Sequence, residues 1–184
     1  EKRRAASPVL PVHKPEVPEG YDIYPAISLA QGQVKEGFDS FAGFLMGLNS
    51  SSIIIDGNTG VHWEDLMPNI QIACEKIGLF PVFYDMHAAL KPENELESFL
   101  KPYLGGDDPI FGKLFNGNLV DFYEPEKIKK IQREGNKLTI LYGTGAALSG
   151  WAAPVIYFDL PKNEIQYRSR AGSITNLGKS EAGD

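Results

Sequence analysis

Ile53-Ile54-Ile55-Asp56-Gly57-Asn58-Thr59-Gly60 joins the pattern of a buried β-strand to that of an α-helix. The isoleucines form an apolar run of strand length, and apolar residues at helical spacing follow the last glycine. A strand that turns through glycines into a helix brings free backbone N–H groups and the positive end of the helix dipole together. We therefore interpret Asp56–Gly60 as a phosphate-binding turn; the alternative is a glycine-rich turn that binds no ligand.

This turn lacks the lysine of a kinase-type phosphate loop. Such a loop has the pattern Gly-x-x-x-x-Gly-Lys-Ser/Thr, in which the lysine contacts the outer phosphates and the hydroxyl binds magnesium. Here the glycines come early, and His62-Trp63 stand near the place of Lys-Ser. The sequence predicts a nucleotide-kinase-like scaffold whose phosphate site is damaged or repurposed.

Composition limits the class of protein and its partners. A length of 184 residues fits one domain with a hydrophobic core, and a net charge of −6 argues against a nucleic-acid surface. No apolar run approaches the roughly 20 residues of a membrane span. The single Cys74 cannot form an internal disulfide, which fits a reducing compartment. We expect a cytoplasmic protein that binds neither nucleic acid nor membrane.

Short apolar runs alternate with helical patterns along the chain. The predicted strands are Ser52–Asp56, Leu79–Tyr84, Lys137–Tyr142 and Pro154–Phe158, and helical patterns cover residues 33–48, 66–78, 92–100, 121–132 and 161–171. This alternation is typical of an α/β fold, here a three-layer sandwich with a mostly parallel sheet. We place this domain over residues 32–178, after a proline-rich extended arm over 1–31 and before a polar tail over 179–184.

Loops that follow parallel strands meet at the carboxyl edge of a sheet, where ligands bind. This rule brings together Asp56–Gly60, Asp85–His87, Gly143–Gly145 and Asp159. Gly143 and Gly145 are candidate phosphate- or nucleotide-binding residues because a glycine pair after a strand resembles part of a dinucleotide fingerprint. The alternative is that small residues allow close packing beneath the cleft.

Arginines in the last helical pattern are further phosphate-binding candidates. The planar guanidinium group suits phosphate, but Arg168 and Arg170 are two residues apart and do not share a helix face. We expect at most one of them to reach the cleft, and surface salt bridges are the alternative for both.

No metal site is predicted outright. Asp85, Asp107 and Asp108 are the carboxylates that would hold magnesium if a magnesium nucleotide binds, although Asp107-Asp108-Pro109 also reads as a turn. The histidines are scattered and form no zinc pattern.

Four runs resemble one protein family: Ile53–Gly57, Leu104–Gly112, Leu141–Trp151 and Asp159–Ser173. They look like the N-terminal region of Bacteroidetes proteins of the class I mannose-6-phosphate isomerase-like family, from about Tyr21 to Gly178. The resemblance implies a P-loop-kinase-like domain of the uridine-kinase type, with Asp85, Arg168 and Arg170 as counterparts of the aspartate and lid arginines of kinases. It also implies a C-terminal cupin region in the parent protein, and zinc only in that region.

Three functions compete. We favour a degenerate kinase-like domain that binds a phosphorylated small molecule, a nucleotide or a sugar phosphate, in carbohydrate metabolism. The second is an active phosphotransferase with an atypical phosphate loop, in which Lys113 or Lys162 supplies the missing charge. The third is a structural module that forms a homo-oligomer through the apolar arm. Whether the domain is an enzyme is left open.

Overall fold

The computed structural model describes residues 28–106, 112–133, 135 and 137–182. Residues 1–27 of the predicted arm, together with Asp107 and Asp108, lie outside this description. The strands are β1 (Ser52–Gly57), β2 (Val82–Asp85), β3 (Thr139–Tyr142) and β4 (Val155–Phe158). The α-helices are α1 (Phe38–Gly47), α2 (Trp63–Lys76), α3 (Glu93–Leu100), α4 (Pro125–Lys130) and α5 (Lys162–Arg170), and 3-10 turns cover Met86–Ala89, Lys101–Tyr103, Leu119–Phe122 and Ala146–Ser149.

The four strands form one sheet in which every pairing is parallel. Their order is β2-β3-β1-β4, so β1 is an inner strand. On one side Ile54 pairs with Leu141, and on the other it pairs with Val155. All six residues of β1 are buried, which explains why its centre, Ile53–Ile55, is a continuous apolar run rather than an alternating one.

Apolar residues pack on both faces of the sheet. On one face, Ile53, Ile55 and Ile140 form a cluster with buried residues of α1 and α2. On the other face, Ile54 and Leu141 pack with residues from the connecting segments: Met86, Ala89, Tyr123 and Ala146. This arrangement confirms the predicted α/β class and parallel sheet, and it is compatible with a three-layer sandwich.

Several predicted boundaries were wrong for local reasons. The first helix begins at Phe38 rather than residue 33, because Gly37 before it has a positive φ of 83° that no helix contains. The predicted helix over 121–132 is a 3-10 turn followed by α4, whose first residue is Pro125, the position at which helices accept proline. Helix α2 begins at Trp63, three residues earlier than predicted, and continues through Pro68.

None of the helices over the described residues combines the length and the apolar character that a bilayer crossing requires.

The core predicts a stability contrast between two isoleucines. Ile55 in β1 is fully buried, whereas Ile72 on α2 is 54% exposed. We expect Ile55→Ala to lower the free energy of unfolding by about 2–5 kcal/mol, because it removes buried methylene groups and leaves a cavity. Ile72→Ala should change it by less than about 0.5 kcal/mol. Urea unfolding of both variants measures this, and equal losses would contradict the placement of the core.

Candidate functional site

The carboxylate of Asp56 lies at the end of β1 and binds three backbone N–H groups. Its Oδ1 accepts from Gly57 at 2.7 Å and from Gly145 at 2.9 Å, and its Oδ2 accepts from Ala147 at 2.9 Å. Only 9% of the residue is exposed. Hydrogen bonds to an ionised acceptor are stronger than neutral ones, so this side chain ties the segment after β3 to the end of β1.

The other backbone groups of the predicted phosphate turn are also used within the chain. The N–H of Asn58 donates to the carbonyl of Phe158, and the N–H of Val61 donates to the carbonyl of Asn58. The Asn58 side chain accepts from the N–H of Gly60 at 3.1 Å and from the hydroxyl of Thr59 at 3.4 Å. A phosphate at this turn would have to displace these bonds and the Asp56 carboxylate, so the phosphate-binding role of Asp56–Gly60 stays a prediction.

Gly57 and Gly145 are needed for close packing. A Cβ atom at Gly57 would lie 2.8 Å from the carbonyl oxygen of Phe158. A Cβ at Gly145, where φ is +77°, would lie 2.8 Å from the hydroxyl of Tyr123, which donates to the carbonyl of Thr144. Gly143 donates its N–H to the carbonyl of Ile55. These contacts favour the packing interpretation of the glycine pair.

The two arginines of α5 have separate environments, as their spacing predicted. Arg168 is held by Glu164 at 3.0 Å, and its Nη1 donates to the carbonyl of Gly60 at 2.7 Å. It therefore clamps the turn after β1 and lines a groove with Asp159, but it does not line the neighbouring cleft described next. Arg170 is exposed. Phosphate binding by either arginine stays a prediction.

A polar cleft of about 560 Å³ opens at the carboxyl edge of the sheet. One wall contains Thr59, which follows β1, and Tyr142, which ends β3. Trp63 and Glu64, at the start of α2, also line the cleft. The opposite wall is the segment Gly172–Ala182. The cleft therefore contains one residue of the predicted phosphate turn, Thr59, and Asp56 is not part of its lining.

Asp85 and His87 form a hydrogen-bonded pair in this cleft. Oδ1 of Asp85 lies 2.8 Å from the backbone nitrogen of His87 and 2.8 Å from its Nδ1. Burial, and then the neighbouring Asp85, raises the pKa of the Tyr142 hydroxyl. In the part of the chain that the structure describes, no three histidine, cysteine, aspartate or glutamate side chains are arranged to hold a metal ion.

A family model described as a domain of unknown function, DUF8485, matches residues 37–184. The chain belongs to this family. The matched range begins directly before α1 and includes all four strands and both walls of the cleft. No curated protein and no solved structure matches the chain.

Sequence reasoning missed two features of the DUF8485 cleft. Trp63 was expected to stand near the place of the missing lysine and to serve in packing; it does belong to the core, and it also lines the cleft. The segment after α5 forms a wall and is fastened to α3, because Lys179 pairs with Glu93 and Glu97 and the hydroxyl of Ser180 donates to Glu93.

Removing the Asp56 carboxylate tests its structural role in the DUF8485 domain. Asp56→Ala leaves three N–H groups without their shared acceptor. Each such loss costs about 1–3 kcal/mol, so we expect the free energy of unfolding to fall by roughly 3 kcal/mol or more in urea titrations. Acetate or formate should restore part of this loss in Asp56→Ala and leave the wild type unchanged.

The exposed Asp159 supplies the matched control. Asp159→Ala should lose less than about 1 kcal/mol, since only one exposed N–H contact is removed. If Asp56→Ala proves too unstable to purify, Asp56→Asn, which keeps one oxygen acceptor, should still lose more than Asp159→Ala. Equal small losses in all variants would contradict the role given to Asp56.

The pKa of the Tyr123 hydroxyl predicts that the folded protein loses stability in alkali. Burial, followed by the negative charges of Asp56 and Asp85, raises the pKa of its hydroxyl above the ordinary value of about 10. The folded state therefore holds this proton more tightly than the unfolded state. The contribution is complete below pH ~10 and falls as pH rises above it. When pH rises from ~10 to ~11, the free energy of unfolding should fall by about 1 kcal/mol less in Tyr123→Phe than in the wild type. Identical slopes would contradict this assignment.

Proposed function

We propose that this domain is a degenerate kinase-like module that binds a phosphorylated small molecule, a nucleotide or a sugar phosphate, without transferring its phosphoryl group. The cleft of about 560 Å³ at the carboxyl edge of the sheet carries the binding part of the proposal. The Asp56 carboxylate on the N–H groups of Gly57, Gly145 and Ala147 supports the absence of phosphoryl transfer. A fixed negative charge at the turn where a kinase cradles phosphate opposes the build-up of phosphate charge there.

The charges around the cleft also disfavour phosphoryl transfer. Transfer depends on cations that neutralise the phosphates. Among the described residues, Lys179 is the one lysine that lines the cleft, and it is ion-paired with Glu93 and Glu97. Lys113 and Lys162, the sequence candidates for a substitute lysine, do not line it. The carboxylates of Glu64 and Asp85 do.

Size and position support ligand binding. A volume of about 560 Å³ falls within the range of small-molecule pockets, and the cleft lies where open α/β sheets bind ligands. The strand order is β2-β3-β1-β4, whereas the order of a dinucleotide-binding sheet begins 3-2-1-4. This difference favours a kinase-like domain over a dinucleotide-binding one. The resemblance to isomerase-associated domains supports a sugar phosphate among the candidate ligands.

Thermal unfolding with a panel of ligands tests the proposal. The panel is ATP, GTP, UTP, mannose 6-phosphate and fructose 6-phosphate, each with and without magnesium. We expect one class to stabilise the domain by about 2.7 kcal/mol at 100 times its dissociation constant, with no product formed. Inorganic phosphate alone is the control and should give no shift, because Asp56 already fills the turn.

The other outcomes favour the alternatives. A magnesium-dependent shift with a nucleotide, together with turnover, would replace the proposal with an active phosphotransferase. No shift with any ligand would favour a structural module. The edge strand β4 offers a surface for such a module, because Val155 and Tyr157 are 53% and 59% exposed. Sedimentation of the same samples would then report the oligomer.

A further inference from the structure

Trp63 carries a buried hydrogen-bond donor with no acceptor. The residue is 7% exposed, lines the cleft, and packs against Phe158 and Tyr142 with ring centroids 6.0 Å and 5.9 Å away. Its Nε1 is buried and makes no hydrogen bond to any residue that the structure describes. Buried donors in folded proteins nearly always have a partner, and an ordered water or a ligand hydroxyl would supply the acceptor that this N–H lacks.

His87 presents the complementary group in the same cleft. The Asp85 carboxylate lies 2.8 Å from Nδ1 and can only accept, which fixes the ring proton on Nδ1. In the neutral imidazole the opposite nitrogen, Nε2, then carries a lone pair. Nε2 makes no hydrogen bond to any residue that the structure describes, and it is not one of the buried polar atoms that lack a partner.

We propose that Trp63 and His87 recognise hydroxyl groups of a carbohydrate moiety, the sugar of a sugar phosphate or the ribose of a nucleotide. The indole N–H donates to a hydroxyl oxygen, and a hydroxyl proton is donated to Nε2 of His87. A hydroxyl is both donor and acceptor, whereas an ionised phosphate oxygen only accepts and leaves His87 unpaired. This inference rests on the proposed function, since it assigns specificity within the same cleft.

The aromatic and acidic character of the cleft fits this chemistry. Tyr142, which is half-buried, offers apolar ring surface to the C–H face of a sugar, and Glu64 and Asp85 are acceptors for further hydroxyl protons. The phosphate of the ligand is then directed away from these carboxylates.

Matched variants separate recognition from folding. Trp63→Phe removes the indole N–H and keeps an aromatic ring, and Trp151→Phe is its control, because Trp151 lies outside the cleft beneath Arg133. His87→Asn keeps a donor for Asp85 and removes the group at Nε2, whereas His87→Gln places an amide near Nε2. Calorimetric titration with mannose 6-phosphate and ATP measures affinity for each variant.

We expect Trp63→Phe and His87→Asn each to weaken binding about tenfold, the effect of one lost hydrogen bond to a ligand. Trp151→Phe should bind as wild type, and His87→Gln should bind more tightly than His87→Asn. The chain has two tryptophans, so its indole N–H signals can be assigned from the variants. The Trp63 signal should shift on ligand addition and the Trp151 signal should not.

The outcomes distinguish this inference from the proposed function. If a phosphorylated probe binds but the Trp63 signal stays fixed and both cleft variants bind normally, the inference is overturned and the proposed function stands. If no phosphorylated probe binds, the proposed function fails, and D-mannose and D-ribose at high concentration decide the inference. A shift of the Trp63 signal with either sugar supports it, and no shift overturns it.

Discussion

The hydrogen bonds of Asp56 connect the two inner strands of the sheet at the edge where ligands bind. Its carboxylate accepts from the residue that ends β1 and from Gly145 and Ala147 in the segment that follows β3. Tyr123 supports the same segment from the other side through the carbonyl of Thr144. The position of the cleft wall beside Tyr142 therefore depends on one buried negative charge and the donors that surround it.

This charge changes what the edge can bind. Backbone N–H groups after a central strand are the usual means by which α/β folds hold phosphate. Here the carboxylate of Asp56 accepts hydrogen bonds from these N–H groups. The adjoining cleft is lined by Glu64, Asp85, His87 and Trp63. Under the function proposed above, recognition would rest on hydroxyl groups in the cleft instead of an anion at the turn.

The fold class could be predicted because its signal is local. Ile53–Ile55 is apolar throughout because β1 is covered on both faces, and the helical patterns between strands require crossovers. The separation of Arg168 from Arg170 also followed from helix geometry alone. The first helix was predicted to start too early, because the apolar spacing continues on the N-terminal side of Gly37, where the positive φ interrupts the helix.

The chemistry of the turn could not be predicted in this way. Asp56 and Gly145 are 89 residues apart, and no local pattern states which donors a buried carboxylate will meet. The glycines therefore looked like phosphate-binding residues, although Gly57 and Gly145 are equally explained by the approach of Phe158 and Tyr123. The wall formed by Gly172–Ala182 was also hidden, since its attachment to α3 depends on contacts between distant charges.

Amide hydrogen exchange at Gly145 and Ala147 in the wild-type protein, with and without inorganic phosphate, tests most directly whether Asp56 fills the anion site. If the carboxylate is the permanent acceptor, both amides exchange slowly without phosphate and at the same rate with it. Fast exchange without phosphate, slowed when phosphate is added, would show that the turn is an open phosphate site and would contradict this account.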